Sequence, residues 1–325
     1  MDIVEPVATK LEPDKKIDYI REVSSTQHTK ISTTHTQSPN QKKRLMIVGG
    51  CDLEQACHYI DKSKFALITH FNFMGDRNIG IFRDHPVYFR QVGQLTDEEL
   101  SEMRRIPYWS ANMLSDDILH GDYDVIVYSV LKVYDSLIYR NRKNGRLLVR
   151  PSSNILERTS PGDLTQDEWE YFKQTYECIG MTSEEQFYDD LNFILQTTGR
   201  PIIFINGAEV DADLYKGNAS LSRYKDMNAV LDRFVSEHAD RCSLIDMRKL
   251  VTSSTDITDT VQHYGRLTYV SIAEQIMKMS GREVHYSRLR VFLHSHLHTL
   301  LWHFGYFKGI RRKLRRLFKH NDTAN

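Results

Sequence analysis

A short apolar run that ends in two glycines constrains the start of this fold more than any other feature of the sequence. Residues 45–48 are all apolar and Gly49-Gly50 follow directly; beyond the glycines, helical spacing links Leu53, Ala56, Cys57 and Ile60. This order predicts a buried strand, a tight turn and a helix. Cys51 then lies at the carboxyl end of a strand, which is where open α/β sheets bind their ligands.

Four further apolar segments repeat this arrangement along the chain. They cover residues 65–69, 124–130, 202–205 and 243–246, and segments that fit amphipathic helices separate them, among them 183–195, 222–238 and 268–279. Apolar strands that alternate with helices are typical of a parallel sheet covered on both faces. The sequence therefore predicts an α/β fold with a doubly wound, about five-stranded parallel sheet in a three-layer, flavodoxin-like arrangement. Residues 139–162 are expected to form a polar surface excursion, and residues 169–178 a helix.

Three regions follow from this pattern. Residues 1–41 are predicted to be a polar extension, and its part from residue 23 onward has almost no large apolar side chain. Such a segment cannot bury enough surface to offset its ordering entropy, so we expect disorder or weak helicity. Residues 42–281 are predicted to be the α/β domain, and residues 282–325 a basic amphipathic helical tail.

Charge and cysteine content narrow the classes of function. The 325 residues include 43 basic and 43 acidic ones, which gives no whole-chain argument for binding nucleic acid. The four cysteines form no CxxC pair and no metal-ligand spacing, so we expect free thiols in a reducing compartment and no metal site. The chain has no apolar signal region and no run of about 18 apolar residues, so a cytoplasmic location is expected.

A late loop supplies the residue types of a catalytic pair. Asp259 and His263 lie in one loop ahead of the last predicted helix. A histidine base, oriented by an aspartate and acting on a nucleophile from the first turn, is a hydrolytic arrangement. Plainer alternatives stay open at this stage: an inert thiol at Cys51, a loop or cap histidine at His263, and a solvated carboxylate at Asp259.

In this order of elements the chain resembles the SGNH (GDSL-type) hydrolase superfamily. Its members carry the nucleophile in a G-D-S turn after the first strand, and their Asp and His in a D-x-x-H loop before the last helix. Gly49-Gly50-Cys51 aligns with that turn, which implies Cys51 as nucleophile, His263 as base and Asp259 as the residue that orients the base. With the later His263-Tyr264-Gly265, the resemblance is nearest to divergent members found with polysaccharide-biosynthesis enzymes.

The resemblance also implies an oxyanion hole. The superfamily places an asparagine after its third strand, where this chain has Ser129 and no asparagine. Backbone amides at Gly50, Asp52 and Gly75 are therefore expected to hold the oxyanion and the substrate, with the side chain of Asn72 or Asn206 in place of the missing amide. Loss of one such donor typically costs about 2.7–4 kcal/mol of transition-state stabilisation. Asn206, followed by a glycine, also fits a plain turn.

The function that the resemblance implies is an acyl esterase or O-acetyltransferase that acts on a carbohydrate in surface polysaccharide biosynthesis. Hydrolysis requires no cofactor, and acetyl-CoA would be the donor for transfer. The alternative is a catalytically degenerate SGNH-like domain that binds a glycan or a glycosyltransferase partner. Nothing in the pattern predicts the oligomeric state.

The carboxyl-terminal region has a different pattern. Apolar residues recur every three or four positions from 293 to 317, and seven Lys or Arg residues without an acidic neighbour fall between Lys308 and Lys319. An interfacial helix on an anionic membrane has this composition, in which each basic residue contributes about 1 kcal/mol near the surface. Residues 293–319 are thus predicted to bind the inner face of the membrane. Packing on the domain, oligomerisation and a nucleic-acid arm are the alternatives, and we expect no nucleic acid partner.

Overall fold

The computed structural model describes residues 41–74, 80–106, 109, 111–150, 165–215, 219–258 and 260–281. The predicted amino-terminal extension, apart from its last residue, and the predicted basic tail fall outside the described residues. So do Gly75 and Asp259, two of the residues that the sequence assigns to the site.

Strands in the described part of the chain are β1 (Lys43–Gly49), β2 (Phe65–Phe71), β3 (Phe73–Met74), β4 (Gly80–Ile81), β5 (Val125–Ser129), β6 (Leu137–Asn141), β7 (Leu147–Arg150), β8 (Tyr176–Met181), β9 (Ile202–Ile205) and β10 (Cys242–Ile245). Helices in the same residues are α1 (Cys51–Cys57), α2 (Pro86–Gln91), α3 (Asp97–Met103), α4 (Asp117–His120), α5 (Leu131–Asp135), α6 (Gln166–Thr175), α7 (Glu184–Thr198), α8 (Leu221–Glu237), α9 (Met247–Leu250) and α10 (Arg266–Met279).

A five-stranded parallel sheet forms the centre of the molecule, in the order β10-β9-β5-β1-β2. The first strand therefore lies inside the sheet, and the chain runs outward from it in both directions. The order reverses between β1 and β5, so their carboxyl ends form the switch point at which doubly wound folds bind ligands. This confirms the predicted fold class, with β5 pairing to both β1 and β9 although a second sheet separates β5 from β9 along the chain.

Burial explains why the apolar runs become strands of this sheet. Residues 45–48 are at most 1% exposed, as a strand covered on both faces requires. Helix α1 packs against α10, and α7 packs against α8. Helix α8 buries the side chains that its 3.6-residue period brings to one face, namely Tyr224, Met227, Leu231 and Phe234. None of the described helices combines the length and the apolarity that crossing a bilayer requires.

One prediction of local structure is wrong, and a second is wrong at one end of its helix. Residues within the predicted surface excursion form β6 and β7, which join β8 in an antiparallel sheet of order β7-β6-β8. The predicted helix over 169–178 ends at Thr175, and Cys178 lies in β8. The reason is that Arg140 and Arg142 pair with Glu177 on the exposed face of this sheet, while the other face packs on a core of its own. In the sequence, charged residues on the solvated face of a sheet therefore give the same pattern as a polar loop.

Candidate active site

The turn after β1 presents Cys51 as the first residue of α1. Gly50 caps this helix with an extended backbone (φ −109°, ψ −151°). Cys51 is exposed, whereas the next two residues, Asp52 and Leu53, are buried. The thiol thus lies at the carboxyl edge of the parallel sheet, beside the end of β5.

Asp52 locks this turn to the neighbouring strand. Its Oδ2 accepts a hydrogen bond from Ser129 Oγ (2.6 Å) at the end of β5, and its Oδ1 accepts one from the Gly50 N–H (3.2 Å). Burial raises the pKa of Asp52, and the hydrogen bond from Ser129 opposes that shift. The carboxyl of Asp52 thus stabilises the turn, while the role of its backbone amide in holding the oxyanion and the substrate stays a prediction. The Gly50 N–H, expected to hold the oxyanion, donates to that carboxyl instead.

Asn72 lies one residue beyond β2, on the other side of the turn. Its backbone N–H donates to the Gly49 carbonyl (3.0 Å), and its Oδ1 accepts from the N–H groups of Arg83 (2.9 Å) and Asp84 (3.3 Å). The position that a β-carbon would take on Gly50 is 3.6 Å from Asn72 Nδ2. Of the two asparagines that the sequence offers as amide donors, Asn72 is the one whose Nδ2 lies at the Cys51 turn.

The segment from Arg83 to His85, for which the sequence predicts no role, packs behind Asn72. Asp84 and His85 are at most 1% exposed, and the Asp84 carbonyl accepts from Tyr128 Oη (2.8 Å). Burial raises the pKa of Asp84 to about 7, while the Asn72 amide and the Lys132 ammonium oppose the shift. The only hint in the sequence is that His85 precedes Pro86, a frequent first residue of helices, and His85 does cap α2.

Lys132 follows shortly after Ser129, the position at which the SGNH resemblance implies an asparagine. Lys132 Nζ donates to Gln262 Oε1 (2.5 Å) and lies 3.9 Å from Asp135 Oδ2. Gln262 Nε2 in turn donates to Asp135 Oδ2 (3.0 Å). Burial raises the pKa of Asp135, and the charge of Lys132 opposes this. The charge of the same ammonium also opposes the rise that burial causes in the pKa of Asp52 and of Asp84.

The loop before α10 reaches the same edge of the sheet. Gln262 is bound to Lys132 and Asp135, as described above. On the other side of His263, Tyr264 is buried, and its pKa is raised by burial and by the charge of Asp52. His263 therefore lies between Gln262, whose side chain is bound to α5, and the buried Tyr264, and its carbonyl accepts from the Thr258 N–H (2.9 Å). Asp259 lies outside the described residues, so its role in orienting His263 stays a prediction.

No family model and no curated protein matches this sequence. Among solved structures, a lipase/acylhydrolase from Enterococcus faecalis matches with a TM-score of 0.38 and 11% identity over 75% of this chain and 99% of that chain. An acetyl xylan esterase from Geobacillus stearothermophilus gives 0.38 and 8% identity over 75% and 97% of the two chains. A putative SGNH hydrolase from Slackia heliotrinireducens gives 0.36 and 11% identity over 73% and 100%.

Two of the residues that the SGNH resemblance assigned to the site remain to be placed. Asn206 is fully buried; its Nδ2 donates to Asp246 Oδ1 (3.1 Å) and its Oδ1 accepts from the Met247 N–H (2.7 Å). The expectation that it donates to an oxyanion is therefore corrected, because it ties β9 to the segment after β10. Gly75 lies outside the described residues and stays a prediction.

Metal ligation was not expected from the sequence. Within the described residues, no group of three or more His, Cys, Asp or Glu side chains has an arrangement that could hold a metal ion. The buried carboxyls of Asp52, Asp84 and Asp135 instead interact with the single ammonium of Lys132.

Proposed function

We propose that this protein is an SGNH-like acyl esterase or O-acyltransferase whose nucleophile is Cys51. The observation that supports this most is the exposed thiol at the switch point of the sheet, with the loop that carries His263 anchored at the same edge. His263 is the base in this proposal, and Asp259 orients it. Cysteine is an effective nucleophile at neutral pH once a neighbouring base takes its proton.

The reaction follows from these roles. His263 removes the proton of the Cys51 thiol, and the thiolate attacks the carbonyl carbon of an ester. The tetrahedral intermediate carries its charge on oxygen, for which the Asn72 side-chain amide and the Gly75 N–H are the proposed donors. Collapse breaks the bond to the leaving group, which is the alcohol of an ester or the thiol of acetyl-CoA, and this group departs with the proton from His263. His263 then takes a proton from water or from the acceptor hydroxyl as that oxygen attacks the thioester, and it returns the proton to the departing Cys51 thiolate.

The proposed substrate is an acylated carbohydrate of a surface polysaccharide. Hydrolysis needs no cofactor, whereas transfer needs an acyl donor, for which acetyl-CoA is the proposed compound. The carbohydrate class rests on the resemblance of the Cys51 turn and of His263-Tyr264-Gly265 to enzymes of polysaccharide loci. The proposed place of action is the inner face of the membrane, where lipid-linked glycans are assembled.

Hydrolysis of p-nitrophenyl acetate tests the proposal, with acetyl transfer from acetyl-CoA to a panel of sugars as a second assay. We expect Cys51→Ala and His263→Ala to lower the rate at least about 100-fold, because each removes a group that takes part in the chemistry. Cys178→Ala is the matched control, since Cys178 is also exposed but lies in β8. Equal rates of hydrolysis in wild type and Cys51→Ala would exclude Cys51 as the nucleophile.

One observation favours the alternative function, a degenerate domain that binds a glycan. The Gly50 N–H donates to Asp52, so one backbone donor of the expected oxyanion hole is already engaged. A degenerate domain would show no ester hydrolysis but would retain glycan binding, measured by calorimetry with oligosaccharides. In that case Cys51→Ala would bind the glycan as tightly as wild type does.

A further inference from the structure

Polar side chains are unusually concentrated in the interior behind Asn72. His70, Asp84 and His85 are each at most 3% exposed. His70 Nε2 lies 3.0 Å from the Arg83 carbonyl oxygen, and His85 Nδ1 accepts from the Val87 N–H (3.3 Å). Burying polar groups costs free energy unless they are paired, so such a concentration beside a candidate site calls for an explanation.

The hydrogen bonds around Asn72 fix the orientation of its side-chain amide. Oδ1 accepts from the backbone N–H groups of Arg83 and Asp84. A flip that exchanged Oδ1 and Nδ2 would place the Nδ2 hydrogens, which are donors, against these two N–H donors. Nδ2 is therefore held on the side that faces the Gly50 position, 3.6 Å from where a β-carbon would be. Segment 83–84 thus acts as the frame that sets the direction of this amide.

Asp84 completes the surroundings of the same amide. Asn72 Nδ2 and Asp84 Oδ1 are both buried, and neither makes a hydrogen bond of standard geometry to a described residue. The two residues are nevertheless neighbours, because the Asp84 N–H donates to Oδ1 of the same amide (3.3 Å), and the Asn72 amide favours the charged form of Asp84. Each of these two buried groups lacks a partner that a small movement of the other would supply, and leaving buried polar groups unpaired costs free energy.

We propose that Asp84 is a positioning residue for Asn72. Its carboxylate accepts one hydrogen of Asn72 Nδ2, which leaves the second hydrogen for an oxyanion bound at the Cys51 turn. This inference rests on the proposed function only in naming the oxyanion as the acceptor. Proton uptake by Asp84 removes the negative charge that holds and polarises the amide. Charged and titratable groups that interact with Asp84 are Asp52, Lys132, Arg83, Tyr88 and Tyr128.

The test follows the two side chains by NMR in the full chain. We expect the ¹⁵Nδ2 resonance of Asn72 and the ¹³Cγ resonance of Asp84 to titrate with one shared midpoint, close to neutral pH. In Asp84→Asn the Asn72 titration should disappear. Asp190→Asn is the matched control, because Asp190 is also buried but binds Arg90 and Gln186. That substitution should leave the Asn72 titration in place.

The wild-type measurement needs no variant, so a failure of Asp84→Asn to fold leaves the inference open to refutation. Different midpoints for the two resonances, or an Asn72 titration that persists in Asp84→Asn, would overturn it. Ester hydrolysis is the second readout: Asp84→Asn should lower kcat about 10- to 100-fold with KM changed less than about twofold. Absence of hydrolysis in wild type, with the shared titration present, would refute the proposed function and leave the pairing of Asp84 with Asn72 standing.

Discussion

Asp52 and Asp84 are buried carboxyls near each other that differ in how the chain satisfies them. Asp52 accepts from Ser129 and from the Gly50 N–H, so both of its oxygens are paired. Asp84 Oδ1 has no such partner among the described residues. Fully paired buried groups serve architecture, whereas an unpaired one with a raised pKa is characteristic of functional sites. Asp52 thus has the structural role at this turn, and Asp84 has the chemical one.

Removing the partner of Asp52 should destabilise the protein. Ser129→Ala leaves Asp52 Oδ2 buried without its hydrogen bond, so we expect the free energy of unfolding to fall by about 1–3 kcal/mol. Urea denaturation measures this change. Ser271→Ala is the matched control: Ser271 is partly exposed on α10 and its hydroxyl donates to the Leu267 carbonyl in a solvent-exposed hydrogen bond, so its loss should cost less than about 0.5 kcal/mol. Equal effects of the two substitutions would contradict the assigned role of Asp52.

Asp84 should make stability depend on pH. Burial raises the pKa of Asp84 in the folded state to about 7, above the ordinary range of an aspartate, so the folded state holds its proton more tightly. The stabilisation is fully present below about pH 4 and is lost as the pH rises towards 7. We therefore expect the unfolding free energy of wild type minus that of Asp84→Asn to decrease between pH 4 and 7. His70 and His85, whose pKa values are lowered to about 4 and about 3, remain in both proteins and cancel in this difference. A difference that is constant with pH would refute the assignment.

At the scale of elements, the buried strands were predictable and the second sheet was not. Each strand of the central sheet has apolar residues on both faces, so a continuous run marks it; β9 coincides with the predicted segment, residues 202–205. Strands β6 and β8 have one solvated face, on which Arg140 and Glu177 pair, and this mixture of charge and apolarity does not distinguish a strand from a loop. Helix α6 also flows directly into β8, with no glycine or proline to mark the boundary.

The residues of the candidate site likewise fall into those that the sequence predicts and those that it does not. Cys51 and the His263 loop were predictable because both follow strands or precede helices at the carboxyl edge of the sheet. Asp84 was not, because no spacing in its segment indicates that tertiary contacts bury it; Tyr128 and Asn72, which hold it, come from β5 and from beyond β2. Asn206 is the opposite case: its position after a strand suggested a functional residue, but its side chain holds structural elements together.

The two glycines of the β1–α1 turn should respond differently to substitution. A β-carbon on Gly49 would lie 2.9 Å from Leu53 Cδ1 and 3.0 Å from Ser129 Cβ, whereas one on Gly50 meets nothing closer than 3.5 Å. We expect Gly49→Ala to lower the unfolding free energy by about 1–3 kcal/mol through overpacking, and Gly50→Ala to change it by less than about 1 kcal/mol. Thermal unfolding of the pair measures this, and similar losses for both would contradict the geometry.

At the scale of the whole molecule, catalysis by the central sheet domain and membrane binding by the region from residue 282 onward are separate properties. The sheet organises the site described above, while the predicted membrane-binding residues lie outside the described part of the chain. A protein that modifies lipid-linked glycans benefits from a basic surface that keeps it near its substrate, because attraction to anionic lipid raises its local concentration. Membrane binding therefore stays a prediction that can be tested apart from catalysis.

Sedimentation with liposomes tests that prediction. We expect the full chain to bind vesicles that contain phosphatidylserine, and a chain without residues 311–325 to lose most of this binding, because that segment carries most of the basic cluster. Neutral phosphatidylcholine vesicles are the control, and binding to anionic vesicles should weaken as salt is raised. Undiminished binding after truncation would refute the membrane role, and esterase activity should be the same in both proteins.

The position of the second sheet in the sequence has a consequence for how the molecule assembles. Strands β5 and β9 pair in register, yet β6, β7 and β8 all lie between them along the chain. Strand β7 follows β6 through a short hairpin, so the β6–β7 contacts close a small loop. The β5–β9 pair closes a long loop, and its formation therefore costs more chain entropy. We therefore expect the β6–β7 hairpin to form early on the folding pathway and the β5–β9 pairing to come late.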